Sequence, residues 1–188
     1  METFLAVLMG LGLAASCGFR VFVPMLVAGV AARAGILDPS SGFAWIGSTP
    51  ALAAFAVATL IEIAAYYVPW VDNLLDTIAS PASVVAGIFL SAAMLGDIPP
   101  LMQWSLALIA GGGAAAIVQG GTTATRLTST ATTAGTANFM LTTLETLASV
   151  VFAVMSIAVP VLAAALLLLV IGLMYYAGRG VLRKVRGA

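Results

Sequence analysis

The sequence predicts an all-α protein, a polytopic transmembrane helix bundle with about five spans. Of its 188 residues, 62% are hydrophobic and 7% are charged, against roughly 25% charged residues in an average soluble domain. So few charges cannot cover the surface of a soluble domain of this size, and a disordered chain would need the opposite composition. Apolar stretches close to the ~20 residues of a membrane-spanning helix recur along the chain. We therefore expect residues 1–188 to form a single membrane domain.

The composition also excludes several functions. Seven basic and seven acidic residues leave no positive excess with which to bind nucleic acid. Histidine, the commonest general base and metal ligand in proteins, does not occur in the sequence. The single cysteine, Cys17, cannot form an internal disulfide. Since the sequence also contains no recognisable pair of nucleophile and base, we expect no enzyme, no catalytic residue, no metal site and no cofactor.

Five apolar stretches predict the spans, and each is long enough, or nearly so, to cross the hydrocarbon core of a bilayer. Ser48 and Pro50 precede the second stretch, which is typical of a helix start. Ser80 would cap the third helix, unless that helix begins inside the preceding segment. The predicted spans are 4–32, 51–68, 81–95, 101–119 and a stretch within 147–176.

The first and last spans contain residues that can interrupt a helix. Arg20 lies near the middle of the first span, and the small residues 16–18 before it would allow the helix to break there. The last span contains Pro160. A single helix over 139–176 would be ~57 Å long at 1.5 Å per residue, nearly twice the bilayer core. Either its first turns lie outside the core or Pro160 divides it into a hairpin.

The distribution of basic residues predicts the orientation of the chain. Membrane proteins keep an excess of Lys and Arg in the cytoplasm, so we expect the basic C-terminal tail there. Counting back over five spans gives a multi-pass protein of the inner (plasma) membrane, with its N-terminus outside and Arg33 on the cytoplasmic side. The loops that contain Asp72, Asp76 and Arg126 then face outward. The basic residues of the tail are Arg179, Arg183, Lys184 and Arg186.

An internal repeat is a further feature of the sequence. The segment LDTIAS at 75–80 recurs as LETLAS at 144–149, 69 residues later. Each copy lies between two predicted spans, so the repeat copies would be 50–96 and 101–177, related as parallel helix hairpins. Repeats of this kind occur in many transporters, whose sites lie at the repeat interface. The alternative is chance recurrence in a biased composition.

Arg20 and Glu62 are charged residues within apolar stretches. An arginine near the bilayer centre costs ~2.5 kcal/mol or more, so Arg20 needs a carboxylate, a backbone carbonyl or water. Three roles are open for it: a buried ion pair, a ligand or ion path, and snorkelling to an interface. Glu62 is either a functional carboxylate or the partner of Arg20 or Arg126 in a structural salt bridge. We predict that Arg20 pairs with an acidic side chain, in the first place Glu62.

Three further acidic residues lie near predicted span ends, and helix capping is one account of them. Asn73 would cap a short helix with Asp76 at its third position, and Thr142 and Glu145 have the same spacing. Asp72 has no such role, and we expect it to be exposed to solvent.

Arg126 lies in a hydroxyl-rich stretch, 122–136, that contains eight threonines. We expect this stretch to form an outer loop packed over the bundle, or to line a polar cavity. If the repeat is real, Asp76 and Glu145 are related positions at one depth on the outer side, and they face a shared polar region that Arg126 borders. Just before this stretch, residues 111–113 are glycines that permit close helix packing.

Three short motifs occur in order along the chain. They are GFRVFVP at 18–24; Glu62 followed by P-x-x-D-x-x-x-D at 69–76; and Arg126 followed by TTAGTAN at 132–138 and then Glu145. Together they resemble the membrane family catalogued as domain of unknown function 4126, over nearly the whole chain. Phe139 stands where that family commonly has proline, and Thr146 where it often has a second acid. The resemblance implies a compact multi-helix membrane fold and implies no function.

Two classes of function fit these observations. The first is a transporter or channel for a small ion or solute. The alternative is a structural or accessory subunit of a larger membrane complex, which binds lipid or pigment and uses the charges as ion pairs and caps. The expected partners are the lipid bilayer and either further copies of the chain, in a homo-oligomer, or a larger membrane complex. The candidates for binding or for an ion path are Arg20, Glu62, Asp72, Asp76, Arg126, Asn138 and Glu145.

Overall fold

The structure is a computed structural model that describes residues 2–68, 71–96 and 98–186. Within these residues the ordered elements are helices, which confirms the predicted all-α class. Four of the described helical stretches are long and apolar enough to cross a membrane. A 3-10 helix at Ser41–Gly47 and a π-helical stretch at Ala107–Gly112 accompany the α-helices. The α-helices are α1 (Glu2–Cys17), α2 (Phe22–Arg33), α3 (Thr49–Tyr66), α4 (Val71–Met94), α5 (Pro100–Leu106), α6 (Gly113–Thr133), α7 (Asn138–Ala158) and α8 (Pro160–Arg186).

The first predicted span, 4–32, is broken. α1 ends at Cys17 and α2 begins only at Phe22, so the helix does break at the place that residues 16–18 left open. Between them, the N–H groups of Gly18 and Arg20 donate to carbonyls of the last turn of α1, at 3.0 and 3.2 Å. The 16 residues of α1 and 12 residues of α2 correspond to ~24 and ~18 Å, less than the ~30 Å bilayer core. Neither helix is long enough to cross the core by itself.

The packing of α1 gives its direction in the bundle. Gly10 of α1 lies against Ser91 of α4, and Ala14 lies against Gly87, one turn earlier in α4. The two helices are therefore antiparallel. Since α4 begins at its connection to α3, α1 runs toward the end of the bundle where α3 and α4 are joined. We call this end the turn end.

The packing of α2 shows that it leaves from the same end. The first N–H groups of α2 contact Glu62 in the last turns of α3. At the other end of α2, Arg33 Nη1 donates to Thr49 Oγ1, in the first residue of α3, at 2.7 Å. α2 is therefore antiparallel to α3 and runs away from the turn end. α1 and α2 form a helical hairpin, and the prediction that 4–32 crosses the membrane as one span is wrong.

α3 begins where the sequence predicts, whereas α4 begins earlier than predicted. The Ser48 hydroxyl accepts the Ala51 N–H at 3.4 Å, as the predicted start of the second span requires. α4 begins at Val71, ten residues before the predicted start, and Pro81 lies inside it. The alternative in which the third span begins in the preceding segment is thus confirmed. Ser80 is no cap, and its hydroxyl donates to the Asp76 carbonyl at 2.7 Å.

The hydroxyl-rich stretch is helical, so the prediction of an outer loop is wrong. α5, the π-helical stretch and α6 form one continuous rod over Pro100–Thr133, 34 residues. Threonine hydroxyls within it donate to the carbonyl four residues earlier, as Thr128 and Thr132 do at 2.8 Å. Such back-bonding satisfies the hydroxyls without ending the helix. The rod stops where Ala134 and Gly135 adopt positive φ values of 52° and 81°.

The glycines of this rod pack against α4, as predicted for two of the three. A Cβ on Gly111 would lie 2.9 Å from the Gly87 carbonyl, and one on Gly112 would lie 2.9 Å from Ile88. Gly113 has no heavy atom within 4 Å of that position. Gly111 and Gly112 therefore allow the π-helical stretch to approach α4 at backbone distance, which a larger residue would prevent.

Pro160 divides the last predicted span. α7 ends at Ala158, Val159 leaves helical geometry, and Pro160 opens α8. Phe152 of α7 and Leu167 of α8 belong to one apolar cluster with Ala15 of α1. A Cβ on Gly12 would contact Ser156 and Ala163. α8 therefore runs antiparallel to α7 and parallel to α1, toward the turn end.

These directions correct the predicted placement of Arg33. The five-span count put it on the same side as the C-terminal tail, because it treated the first apolar segment as one crossing. In the fold, α2 carries Arg33 away from the turn end, whereas α8 runs toward that end. Pro69 and the side chains of Asn73 and of the basic tail lie outside the described residues. The connections α3–α4 and α6–α7 also lie at the turn end, toward which α8 runs, so the prediction that the loops with Asp72, Asp76 and Arg126 lie on the side opposite to the tail is wrong. The internal repeat itself stays a prediction.

The hairpin leads to a first test, by thiol labelling from each side of the membrane. In a Cys17→Ser background, we expect a membrane-impermeant thiol reagent to label Ile36→Cys from the side on which an N-terminal epitope tag is found. It should label Thr132→Cys only from the opposite side. The reason is that α3 runs from the end of the bundle near Ile36 to the turn end, where Thr132 lies. Both positions are exposed. Labelling of Ile36→Cys on the side opposite to the tag would restore a single first crossing.

The close approach of the hairpin tip to α6 leads to a second test. A Cβ on Gly18 would lie 2.7 Å from the Ala115 carbonyl oxygen and 2.8 Å from the Gln119 backbone nitrogen. Gly18→Ala is therefore expected to lower the stability by ~1–3 kcal/mol, the usual cost of overpacking. Thermal unfolding in detergent measures it. Gly120→Ala is the matched control, since no heavy atom lies within 4 Å of its Cβ position. Equal effects of the two changes would contradict the packing.

Candidate functional site

Among the residues that the structure describes, six charged side chains are buried together at the turn end, each with at most 8% of its surface exposed. They come from the α1–α2 connection and from α3, α4, α6 and α7. All six were candidates from the sequence. We call them the buried charge cluster, which consists of Arg20, Glu62, Asp72, Asp76, Arg126 and Glu145.

Glu145 joins two arginines at the centre of the cluster. Its Oε2 lies 3.0 Å from Arg20 Nη1 and also accepts from Arg126 Nη2. Arg126 Nε lies 3.6 Å from Asp76 Oδ2. Charge-assisted bonds of this kind are about twice as strong as neutral ones, and removing one partner leaves a buried charge uncompensated. The cluster therefore ties the hairpin tip to α4, α6 and α7.

Tyr66 lies against both arginines. Its ring centroid is 4.1 Å from the Arg20 guanidinium carbon and 4.5 Å from that of Arg126. Its hydroxyl donates to Asp76 Oδ1 at 3.1 Å. The ring thus stabilises the positive charges while its hydroxyl binds one of the carboxylates. The sequence analysis missed Tyr66, and its place four residues after Glu62, on the same helical face, is the signal that could have found it.

The remaining donors of Arg20 are also satisfied. Nη1 donates to the Phe19 carbonyl at 2.9 Å and Nη2 to the Thr142 carbonyl at 3.0 Å. Nε donates to Thr146 Oγ1 at 3.1 Å. Thr146 was noted only because the family often has an acid there. Here its hydroxyl binds Arg20 directly, next to Glu145.

Glu62 has a different role from the one predicted. Its Oε1 accepts the Val21 N–H at 2.7 Å and its Oε2 accepts the Phe22 N–H at 3.0 Å. The predicted ion pair between Arg20 and Glu62 is therefore wrong, since the acid that Arg20 contacts is Glu145. The physical reason is that α2 begins inside the protein, where its first N–H groups lack water. A carboxylate at a helix N-terminus satisfies those groups and interacts favourably with the helix dipole.

The acidic residues near the α3–α4 and α6–α7 connections are not capping residues. Asp76 and Glu145 lie inside α4 and α7, several residues after the helix starts. Asp72, expected in solvent, is 3% exposed, and its Oδ2 accepts from Asn138 Nδ2 at 2.7 Å. The reason is the early start of α4, which places Asp72 in its first turn against α7. The shared polar region of Asp76 and Glu145 is confirmed, because Arg126 contacts both.

Two buried oxygen atoms in the region accept no hydrogen bond from the described residues. They are Asp76 Oδ2, whose nearest cation is Arg126 at 3.6 Å, and Asn138 Oδ1. Buried polar atoms are normally hydrogen-bonded, so such exceptions call for an explanation. Among the described residues, no three His, Cys, Asp or Glu side chains converge as a metal site would require.

Comparison with known families identifies the family of the chain. A family model described as a domain of unknown function (DUF4126) matches residues 7–179. The chain belongs to this family. No curated protein and no solved structure matches it. The three motifs that resemble DUF4126 are far apart in the sequence, and the charged residues of all three meet in the buried charge cluster. The DUF4126 motifs thus coincide with the one place where the fold buries charge among the described residues.

The pairing at the centre of the cluster can be tested by double-mutant cycles. Arg20→Met is expected to lower the stability by ~3–5 kcal/mol, because Glu145 loses a buried partner. Combined with Glu145→Gln, the loss should be less than additive by ~0.5–3 kcal/mol, as for residues in contact. Combined with Glu62→Gln, the two losses should add more nearly. Thermal unfolding in detergent gives each value. A larger coupling of Arg20 with Glu62 than with Glu145 would reverse the assignment.

Proposed function

We propose that this protein is a small membrane transporter that moves a small ion or solute and uses the buried charge cluster to take up a proton or another cation. The observation that carries this proposal is the charge of the cluster. Apart from Asp72, which is bound by Asn138, three carboxylates accompany two arginines, so with every group ionised they outnumber the positive charges by one. An excess of buried charge is costly unless a positive partner compensates it.

Asp76 is the carboxylate best placed to take up positive charge. Its Oδ1 is bound by Tyr66, but its buried Oδ2 accepts no hydrogen bond from the described residues. The charged and titratable groups that face it are Arg126 at 3.6 Å, the Tyr66 hydroxyl, Glu145 on the other side of Arg126, and Asp72 one turn earlier in α4. A proton on Oδ2 would remove one negative charge. Ionisable residues within membrane segments are functional candidates for this reason.

The α1–α2 hairpin supports the proposal independently. Two helices too short to cross the bilayer core bring an irregular connection to the charge cluster. Irregular backbone at membrane depth is tolerated only where protein surrounds it or where it lines a water-filled cavity. In many secondary transporters, interrupted helices of this kind build the substrate or ion site. Arg20 in this connection then couples the position of the hairpin tip to the charge of the cluster.

The basic residues support an orientation for the proposed transporter. Four lie in the C-terminal tail, and α8 carries this tail toward the turn end. Arg33 lies at the end of α2 that points away from the turn end. By the positive-inside rule, the turn end faces the cytoplasm of the cell and the N-terminus lies outside. The connections that follow α3 and α6 then belong to the cytoplasmic half of the plasma membrane.

The accessory-subunit alternative is favoured by one specific observation. Arg20 and Arg126 are both paired with Glu145, and Arg20 has partners for its other donors as well. A cluster that only holds the bundle together would have such satisfied pairs. In that case the carboxylates carry no moving charge, and replacing one of them changes stability without changing ion flux.

Proton flux in liposomes distinguishes the two functions. The wild-type protein, reconstituted in vesicles that contain a pH-sensitive dye, is expected to conduct protons under a potassium-diffusion potential. Asp76→Asn should reduce the flux to that of protein-free vesicles, because an amide cannot bind the proton. Asp38→Asn is the matched control, since Asp38 is exposed and outside the cluster. Wild-type flux no greater than that of empty vesicles would favour the accessory subunit.

A further inference from the structure

A groove opens on the side of the bundle between α3 and α4, next to the start of α2. Its volume is about 270 Å³, slightly smaller than the roughly 300–1,000 Å³ that is typical of small-molecule sites. Ile61 and Ile78 lie at its rim, with 64% and 60% of their surfaces exposed. On membrane-spanning helices such side chains face lipid, so the groove is open to the bilayer.

The lining of the groove is apolar except for two groups. Alanine and aliphatic side chains from α3 and α4 form most of its wall, and Phe22 closes one side. Glu62 and Tyr66 are the lining residues with polar side-chain atoms. A molecule that fills this groove therefore needs an apolar body, and any polar group that it carries must face these two residues.

Glu62 places a carboxylate directly behind the apolar wall of the groove. Its two oxygens accept the N–H groups of Val21 and Phe22, one each, and the residue is buried. An occupant would therefore interact with its charge at short range in an apolar medium, where charges interact more strongly than in water. The charge of Glu62 is part of the negative excess of the buried cluster. An occupant with a positive charge would compensate that excess, whereas an anion would add to it.

We propose that this groove is a binding site for lipophilic organic cations, which lay their apolar body between α3 and α4 and direct their charge toward Glu62. The proposal rests on the proposed function, since it names the class of solute that the transporter would carry. Entry is from the bilayer, past Ile61 and Ile78, because that is where the groove is open. Proton uptake by the cluster and binding of the cation are then two ways to supply positive charge to the same carboxylates.

Two ions of the same shape and opposite charge provide the test. Tetraphenylphosphonium and tetraphenylborate have nearly equal size, and their binding to the purified protein in nanodiscs can be measured by equilibrium dialysis against empty nanodiscs. The phosphonium is expected to bind at least ~10-fold more tightly, the effect of about 1.4 kcal/mol of charge interaction. Equal binding of the two ions, or no phosphonium binding above that of empty nanodiscs, would overturn the proposal.

A pair of matched variants locates the site. Ala58→Leu fills the groove and is expected to reduce phosphonium binding about tenfold or more. Ala54→Leu, one turn earlier on α3 and exposed outside the groove, should leave binding unchanged. Glu62→Gln should remove the preference for the cation, provided that its melting curve shows a folded protein. If Ala58→Leu and Ala54→Leu bind the phosphonium alike, the site lies elsewhere and the proposal fails.

The binding experiment and the proton-flux experiment can fail independently of each other. Phosphonium binding that depends on Ala58, together with proton flux no greater than that of empty vesicles, would support the site and reject the transporter. Proton flux that depends on Asp76, without phosphonium binding, would support the transporter and reject this substrate class. The binding measurement needs no transport activity, so each result stands by itself.

Discussion

The contact of Arg20 and Arg126 with one oxygen of Glu145 is the interaction on which the rest of the structure depends. Two arginines cannot be left unpaired inside an apolar bundle, because each buried charge without a partner costs several kcal/mol. Glu145 meets this need for both of them at once, and Asp76 adds a second negative charge beside Arg126. The tip of the α1–α2 hairpin, α4, α6 and α7 must therefore converge at one point.

This convergence also explains the irregular parts of the backbone. The chain breaks after Cys17 so that Arg20 reaches Glu145, and the break exposes the first N–H groups of α2. Glu62 accepts two of those groups instead of forming the predicted ion pair with Arg20. One buried arginine thus requires a helix break, and the break requires a second buried carboxylate. The negative excess of the cluster follows from these local needs, and it is also the property from which a transport function is proposed.

Glu62 belongs to both the groove and the cluster, and Tyr66 lines the groove while it contacts the cluster, which gives the site its chemical character. Tyr66 contacts both arginines with its ring and Asp76 with its hydroxyl, while it also lines the apolar groove. A change of charge at Asp76 would therefore be felt at the wall of the groove through one side chain. In a bundle whose core is mostly apolar and close-packed, such a polar connection is the part most able to respond to a ligand or a proton.

The sequence by itself determined the class of the protein and included the six residues of the cluster among its candidates. A chain with 7% charged residues must place buried charges where they have partners, so the charges within apolar stretches could be recognised as residues that need partners. Apolar length and the residues of the helix start also located α3, and Pro160 was recognised as a possible divider of the last helix. These features depend on local composition and on the length of a bilayer-spanning helix, which can be read along the chain.

Only the tertiary structure decided which charges meet and in which direction each helix runs. Glu62 was the acid of the neighbouring apolar stretch, but Arg20 contacts Glu145, 125 residues away. No local pattern distinguishes a broken crossing from a hairpin, because the same apolar residues suit both, and the choice depends on packing against α3 and α4. The threonines of α6 look like a loop in composition, yet their hydroxyls bond to their own helix. Partner choice and direction are properties of long-range contacts, and those are formed only when the whole chain is folded.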